Sequence, residues 1–142
     1  MNLVYKNITK PYEFSSPFAK GEFVVLLYIA DTGVSLQQQA DVSDSLIAQG
    51  CRYAVCAGYD CETWHDAIDN AYLKRNGGEC RDANFVMTTW HEHDNLGDIV
   101  FFFLNNTQFE EWIPQNFLVL VLGNNPAILA DIRKEIEKDK IN

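Results

Sequence analysis

Four apolar runs, each followed by a stretch with helical periodicity, constrain this chain more than any other feature. The clearest is Phe23-Val24-Val25-Leu26-Leu27-Tyr28-Ile29-Ala30, bounded by Gly21 and by Asp31-Thr32-Gly33. Continuous rather than alternating apolarity suits a strand covered on both faces. The same reasoning predicts strands at 23–29, 52–57, 85–90 and 117–122. After the first, Ser35-Leu36-Gln37-Gln38 has capping-box spacing and opens a helix with Leu36, Ala40, Ser43 and Ile47 on one face, stopped by Gly50. Asp60 can cap a helix running to about Asn76, with Trp64, Ile68, Ala71 and Tyr72 as its buried stripe. Asp94 or Asn95 can cap a third helix through Leu96, Ile99, Val100 and Phe103, although Ile99 to Leu104 fits a strand equally well. Ala127 to Lys140 is a last helix, with Ile128, Leu129, Ile132 and Ile136 facing inward. Strand–helix alternation with short connections implies right-handed crossovers and a parallel sheet. The expected fold class is α/β: a three-layer, Rossmann-like or flavodoxin-like domain over 21–142, with about four parallel strands and helices on both faces. Residues 1–20 hold four aromatics and two prolines without clear periodicity, which predicts an irregular arm packed on the domain, with room for one short strand at Leu3 to Tyr5.

Charge and composition narrow the partners. The chain has 142 residues, a formal charge of −9 and 13% aromatic residues, too many aromatics for a disordered acidic chain. Nucleic-acid backbones and anionic membranes both demand basic patches, so neither is an expected partner. A protein partner, for which a basic surface is the natural complement, or a small molecule remains. The N-terminus lacks a basic segment followed by a long apolar stretch, and no apolar run approaches the roughly 20 residues of a spanning helix. A cytoplasmic protein with reduced cysteines is therefore expected.

In an open parallel sheet, ligands bind beyond the carboxyl ends of the strands. Here those ends carry Asp31-Thr32-Gly33, Gly58-Tyr59-Asp60-Cys61, Thr89-Trp90-His91-Glu92-His93-Asp94 and Gly123-Asn124-Asn125. Turn preference alone accounts for Asp31, Gly33, Gly58, Gly123 and Asn124. It accounts less well for Trp90, His91 and Cys61. Cys61 falls in the first turn of a helix, where the dipole and free N–H groups can lower a thiol pKa. With His91 or His93 as base and Glu92 or Asp94 to orient it, a Cys–His–acid set for acyl transfer or hydrolysis can be drawn. The catalytic candidates are thus Cys61, His91 and Glu92, but no G-x-S-x-G motif accompanies them. His91, His93 and Asp94 with Cys56, Cys61 or His65 supply enough donors for zinc. No C-x-x-C pair exists, however, and strand alternation puts Cys51 and Cys56 on opposite faces, so no metal is expected. Asp31-Thr32-Gly33 looks like the loop of aspartic proteases, but it precedes a capped helix and has no second copy. Neither G-x-x-x-x-G-K-[ST] nor G-x-G-x-x-G occurs, and no cofactor is expected. Among the aromatics, Trp64 belongs to a helical core stripe, whereas Tyr59 and Trp90 fall at strand ends, where they can stack on a ligand or anchor an interface. Trp112 lies in the long 105–116 loop. The binding candidates are Asp31, Tyr59, Asp60, Trp90, His91 and Asn124.

Two blocks, Cys51-Arg52-Tyr53-Ala54-Val55-Cys56-Ala57-Gly58-Tyr59-Asp60-Cys61 with Trp64, and Met87-Thr88-Thr89-Trp90-His91-Glu92, resemble the signature of an uncharacterised bacterial family, a domain of unknown function. The resemblance covers about 22–125 and implies a bacterial intracellular protein, with no catalytic residues to carry over. The expected function is a small acidic binding module, immunity-type or regulatory, that recognises a protein or small ligand at the strand carboxyl ends. The alternative is a cysteine-dependent hydrolase using Cys61 and His91.

Overall fold

Apolar runs and caps place nine elements along the chain, seen in a computed structural model that describes residues 1–19, 21–80, 84–109 and 111–141. They are β1 (Asn2–Ile8), β2 (Phe23–Ile29), α1 (Leu36–Ala48), β3 (Cys51–Gly58), α2 (Cys61–Arg75), β4 (Met87–Trp90), α3 (Leu96–Asn105), β5 (Asn116–Leu122) and α4 (Pro126–Ile141). The five strands form one sheet in the order β1-β5-β2-β3-β4, and every pair is parallel. The four expected strands are adjacent and parallel, and helices cover both faces. The fold is the three-layer α/β architecture expected from the alternation.

The two layers divide the apolar residues cleanly. Val25, Leu27, Ala54, Cys56, Leu118 and Leu120 face α1 and α2, where Leu46, Trp64 and Ile68 complete the core. Val24, Leu26, Val55, Ala57, Val119 and Val121 face α3 and α4, packing on Val100, Phe103, Ile132 and Ile136. Central strands buried on both sides have no polar face to alternate with, which is why their sequence reads as continuous runs.

Four details differ from expectation, each with a local cause. First, the N-terminal arm contributes a full edge strand, Asn2–Ile8, paired along its length with β5. The segment after it crosses β5 on the α1/α2 side, burying Tyr12 and Phe14 in that core. Second, α1 buries Gln39, Val42, Ser43 and Leu46, while Leu36 is 73% exposed. The inward face is therefore turned by about one residue from the apolar one read in the sequence, because two of its members are polar. Third, a register shift between Phe23 and Val24 sets two β3 residues against one on β2. This bulge reverses strand parity at Arg52, so Cys51 and Cys56 both face the α1/α2 core rather than opposite sides. Fourth, β4 spans only Met87–Trp90. Upstream of it, the Phe85 carbonyl accepts from Arg52 Nε (2.8 Å).

The ambiguous apolar run Ile99 to Leu104 is helical. Asn95 Oδ1 accepts from the Asp98 N–H (2.8 Å) and starts α3. The Ser35 capping box forms as read, with reciprocal bonds to and from Gln38. No helix among the described residues is long and apolar enough to cross a membrane.

Candidate functional site

The sheet order creates a switch point between β2 and β5. From β2 the chain turns into α1 on one face, and from β5 it turns into α4 on the other. Loops that diverge in this way leave a crevice beyond the strand ends, the usual ligand position in such sheets. Backbone bonds tie its rim together. The Asp31 N–H donates to the Leu122 carbonyl (3.0 Å), the Gly123 N–H to Ile8 (2.9 Å) and the Tyr59 N–H to Ile29 (2.9 Å). Gly58 and Gly123 lie at the closest approaches. A Cβ on Gly58 (φ +86°) would come within 2.4 Å of the Ile29 carbonyl oxygen, and one on Gly123 (φ +117°) within 2.5 Å of Asp31 Oδ1.

Asp31, Thr32, Val34, Gln39, Tyr59, Asp60 and Trp64 line a crevice of about 100 Å³ next to this point, between the loops that follow β2 and β3 on the α1/α2 side. The Tyr12 hydroxyl, from the crossing segment, donates to Asp31 Oδ2 in a short hydrogen bond. Burial, reinforced by the Asp31 carboxylate, pushes the Tyr12 pKa up to about 12, so the phenol keeps its proton and orients the acid. Asp60 adopts the left-handed conformation (φ 58°) as the first residue before α2, and its Oδ1 accepts from Thr63 Oγ1 (2.8 Å) rather than from a helix N–H. Tyr59 is 54% exposed beside it.

The second candidate loop lies on the same sheet edge, since β4 pairs with β3 and the His91 N–H donates to the Cys56 carbonyl (3.0 Å). Asp60, Cys61, Trp90 and His91 thus share one edge, as expected. Their side chains diverge. Trp90 is 42% exposed and meets the His65 ring edge-on at 4.6 Å, on the α2 side. The His91 ring instead lies against Phe102 of α3 (4.8 Å). Its Nδ1 pairs with Asp94 Oδ2 (2.8 Å) and its Nε2 with Thr89 Oγ1 (3.0 Å), so both ring nitrogens are engaged. Asp94 takes the orienting position for which Glu92 was also a candidate, while Glu92 faces His93 at 3.9 Å. Cys61 is buried in the α1/α2 core, and burial raises its thiol pKa despite N–H groups from His91, Cys61 and Glu62. The helix start was expected to lower it; desolvation outweighs the dipole. Cys51, Cys56, Cys61 and Cys80 are all free thiols, and no metal-holding group of His, Cys, Asp or Glu occurs among the described residues. Asn124 is exposed in the β5–α4 turn, where Asn125 supplies the cap by accepting from the Ile128 N–H (3.1 Å).

The strand-end loops and first helical turns, 30–35, 59–66, 90–98 and 123–125, hold Asp31, Asp60, Glu62, Asp66, Glu92, Asp94 and Asp98 but no Lys or Arg. All three histidines of the chain also lie there. This segregation was visible in the sequence once the strand ends were known. Tyr12 and Gln39, by contrast, were missed as site residues, because nothing local marks an aromatic in an arm as the partner of Asp31 or a glutamine on a helix as lining a crevice.

These features define an α/β protein with a doubly wound parallel sheet and an acidic, aromatic-bearing carboxyl edge. The chain belongs to the domain of unknown function family DUF7684, whose model matches residues 3–139. No curated protein and no solved structure matches it.

Proposed function

We propose that this chain is a cytoplasmic binding module that docks a basic protein surface on its carboxyl edge, in the manner of an immunity-type or regulatory protein. The observation that carries the reading is the union of charge and exposure on that edge. Acids from three of the four strand-end segments lie there without a Lys or Arg, flanked by the exposed rings of Tyr59 and Trp90. Exposed Tyr and Trp supply contact area at low entropic cost, and one-signed charge speeds encounter with a complementary partner. The crevice, at about 100 Å³, is well below the roughly 300–1,000 Å³ of typical small-molecule pockets, which favours a macromolecular partner. Cysteine chemistry has less support, because the thiol of Cys61 is buried with a raised pKa and the His91 imidazole is held by Asp94 and Thr89.

The test is co-expression of the chain with the product of each flanking gene, followed by purification at low and at high salt. The expected result is a stable complex with one basic product, weakened by salt and lost in the Tyr59→Ala/Trp90→Ala double variant. A complex indifferent to both the salt and the variant would remove the carboxyl edge from the interaction.

A further inference from the structure

The open side of the sheet beside β4 offers hydrogen bonds as well as apolar surface. β4 pairs with β3 alone, and among the described residues no strand lies beyond it. In a parallel ladder each residue directs its N–H and C=O to one side, and successive residues alternate. The His91 N–H donates to the Cys56 carbonyl, so Thr89 and Met87 also bond toward β3. The N–H and C=O groups of Thr88 and Trp90 therefore point out of the sheet, where no described residue partners them. Such edges are usually guarded by charge, proline or a bulge. The opposite edge, β1, carries Lys6. Met87-Thr88-Thr89-Trp90 has no charge, and its one guard is brevity. Met87 and Trp90 are 38% and 42% exposed.

A cavity of about 290 Å³ lies beside this edge. Tyr72, Leu73, Cys80, Phe85, Val86 and Met87 supply its apolar lining, and Asp69 and His65 add polar groups. No β3 residue lines it, which places it at the sheet margin between α2 and β4. Charge near the Trp90 end is one-signed. Asp66 and Asp69 hold His65, Glu92 and Asp94 follow Trp90, and the bases of α2, Lys74 and Arg75, come only in its last turn.

We infer that an extended basic segment of the partner adds to β4 as a further strand and seats one apolar side chain in this cavity. The inference rests on the docking proposal and extends that surface from the carboxyl edge down the open side of the sheet. Main-chain bonds to Thr88 and Trp90 hold the segment, and every second side chain of an added strand faces α2 and the cavity. Lys or Arg side chains toward the Trp90 end meet Asp66, Asp69 and Glu92. A second copy pairing β4 to β4 would bring these same acids face to face, so charge selects a basic partner instead.

The test titrates isotope-labelled protein with the blocked peptide Lys-Val-Lys-Leu-Lys-Val-Lys and with the same peptide N-methylated on its three central amides. The first is expected to shift the amides of 86–91 saturably and to slow hydrogen exchange at Thr88 and Trp90. The methylated peptide, equal in charge and side chains, should bind about tenfold more weakly or worse. Thr88→Pro deletes an outward N–H and no bond to β3, so it should weaken the first peptide to the same degree. Thr88→Val also lacks the hydroxyl bonded to Asp69 but keeps the N–H, and should bind like the parent. N-ethylmaleimide tests the cavity without a substitution. It labels Cys80 while Cys51, Cys56 and Cys61 are buried, and the label should weaken the peptide just as the peptide should slow labelling. Equal binding of both peptides, or unsaturable shifts spread over the acids, would overturn the inference. So would a dimer of the free chain with Thr88 and Trp90 already protected, which would give the edge to a second copy. Peptide binding at β4 with no basic flanking product captured leaves the strand site and removes the docking proposal. A captured partner that binds Thr88→Pro and Cys80-labelled protein as tightly as the parent removes strand addition and leaves the docking.

Discussion

Trp64→Ala is expected to lower the unfolding free energy by about 3–5 kcal/mol, the range for deleting a large buried aromatic, while Trp90→Ala leaves it within about 1 kcal/mol of the parent. The two residues face opposite fates for a geometric reason. Trp64 is 1% exposed on the α2 face that covers the sheet, in one core with Val42, Leu46, Ile68 and Leu27. Loss of its indole leaves a void walled by strands that cannot collapse. Trp90 ends an edge strand, and its main contact is the ring of His65. Urea titrations of both variants check this. A Trp90→Ala loss equal to that of Trp64→Ala would make both rings structural and remove an anchor from the proposed surface.

Stability is expected to fall steeply above pH 9, with a second steepening above pH 10. Burial pushes the Cys51 thiol from its ordinary value of 9.0 up to about 12 and raises Cys56 well above that ordinary value. Tyr12 moves from 10.0 to about 12 through burial and its bond to Asp31. All three pKa values are raised in the folded state, so at high pH the unfolded chain loses its protons first. The stability tied to them is complete below the unfolded pKa values and is lost as pH rises toward 12. Each fully buried thiol steepens the loss by up to about 1.4 kcal/mol per pH unit. Unfolding free energies measured at pH 7, 9, 10 and 11 should show this decline. A Cys51→Ala/Cys56→Ala variant should lose most of the earlier decline, keeping the smaller part tied to Cys61 and the later, tyrosine-linked part. A flat parent profile to pH 11 would contradict the packing of β3 against α1 and α2.

Much of the architecture was legible because its causes are local. Runs such as Phe23 to Ile29 announce strands buried twice over, and the Trp64, Ile68, Ala71 and Tyr72 stripe identifies the inner face of α2 directly. Where the inner face is polar the signal fails. Gln39 and Ser43 lie on the buried side of α1, so apolar periodicity points at Leu36, which is exposed. Strand parity failed at Arg52 for another reason: a bulge adds a residue to one strand without changing composition. The edge strand Asn2–Ile8 carries Lys6 and Asn7 because one side of its backbone has no neighbour in the sheet, and mixed polarity at an edge reads as irregular chain.

The site was half legible. Strand ends located Asp31, Tyr59, Asp60 and Trp90, since the position of a loop follows from topology alone. The partners of each side chain depend on packing between segments far apart in sequence. His91 is held by Asp94 and Thr89 with its ring on Phe102, and Tyr12 reaches Asp31 from the arm that crosses β5. Neither contact leaves a motif. The segregation of acids at one sheet edge needed only the strand ends to become visible, and it carries the functional reading.

The most direct test of that reading is hydrogen exchange of the complex with the captured partner, compared with the chain alone. The account predicts new protection confined to the amides of 30–35, 59–66 and 88–98, with α3 and α4 unchanged beyond their first turns. Protection centred on the outer faces of α3 and α4, or on the opposite edge around Arg52 and Trp112, would contradict it.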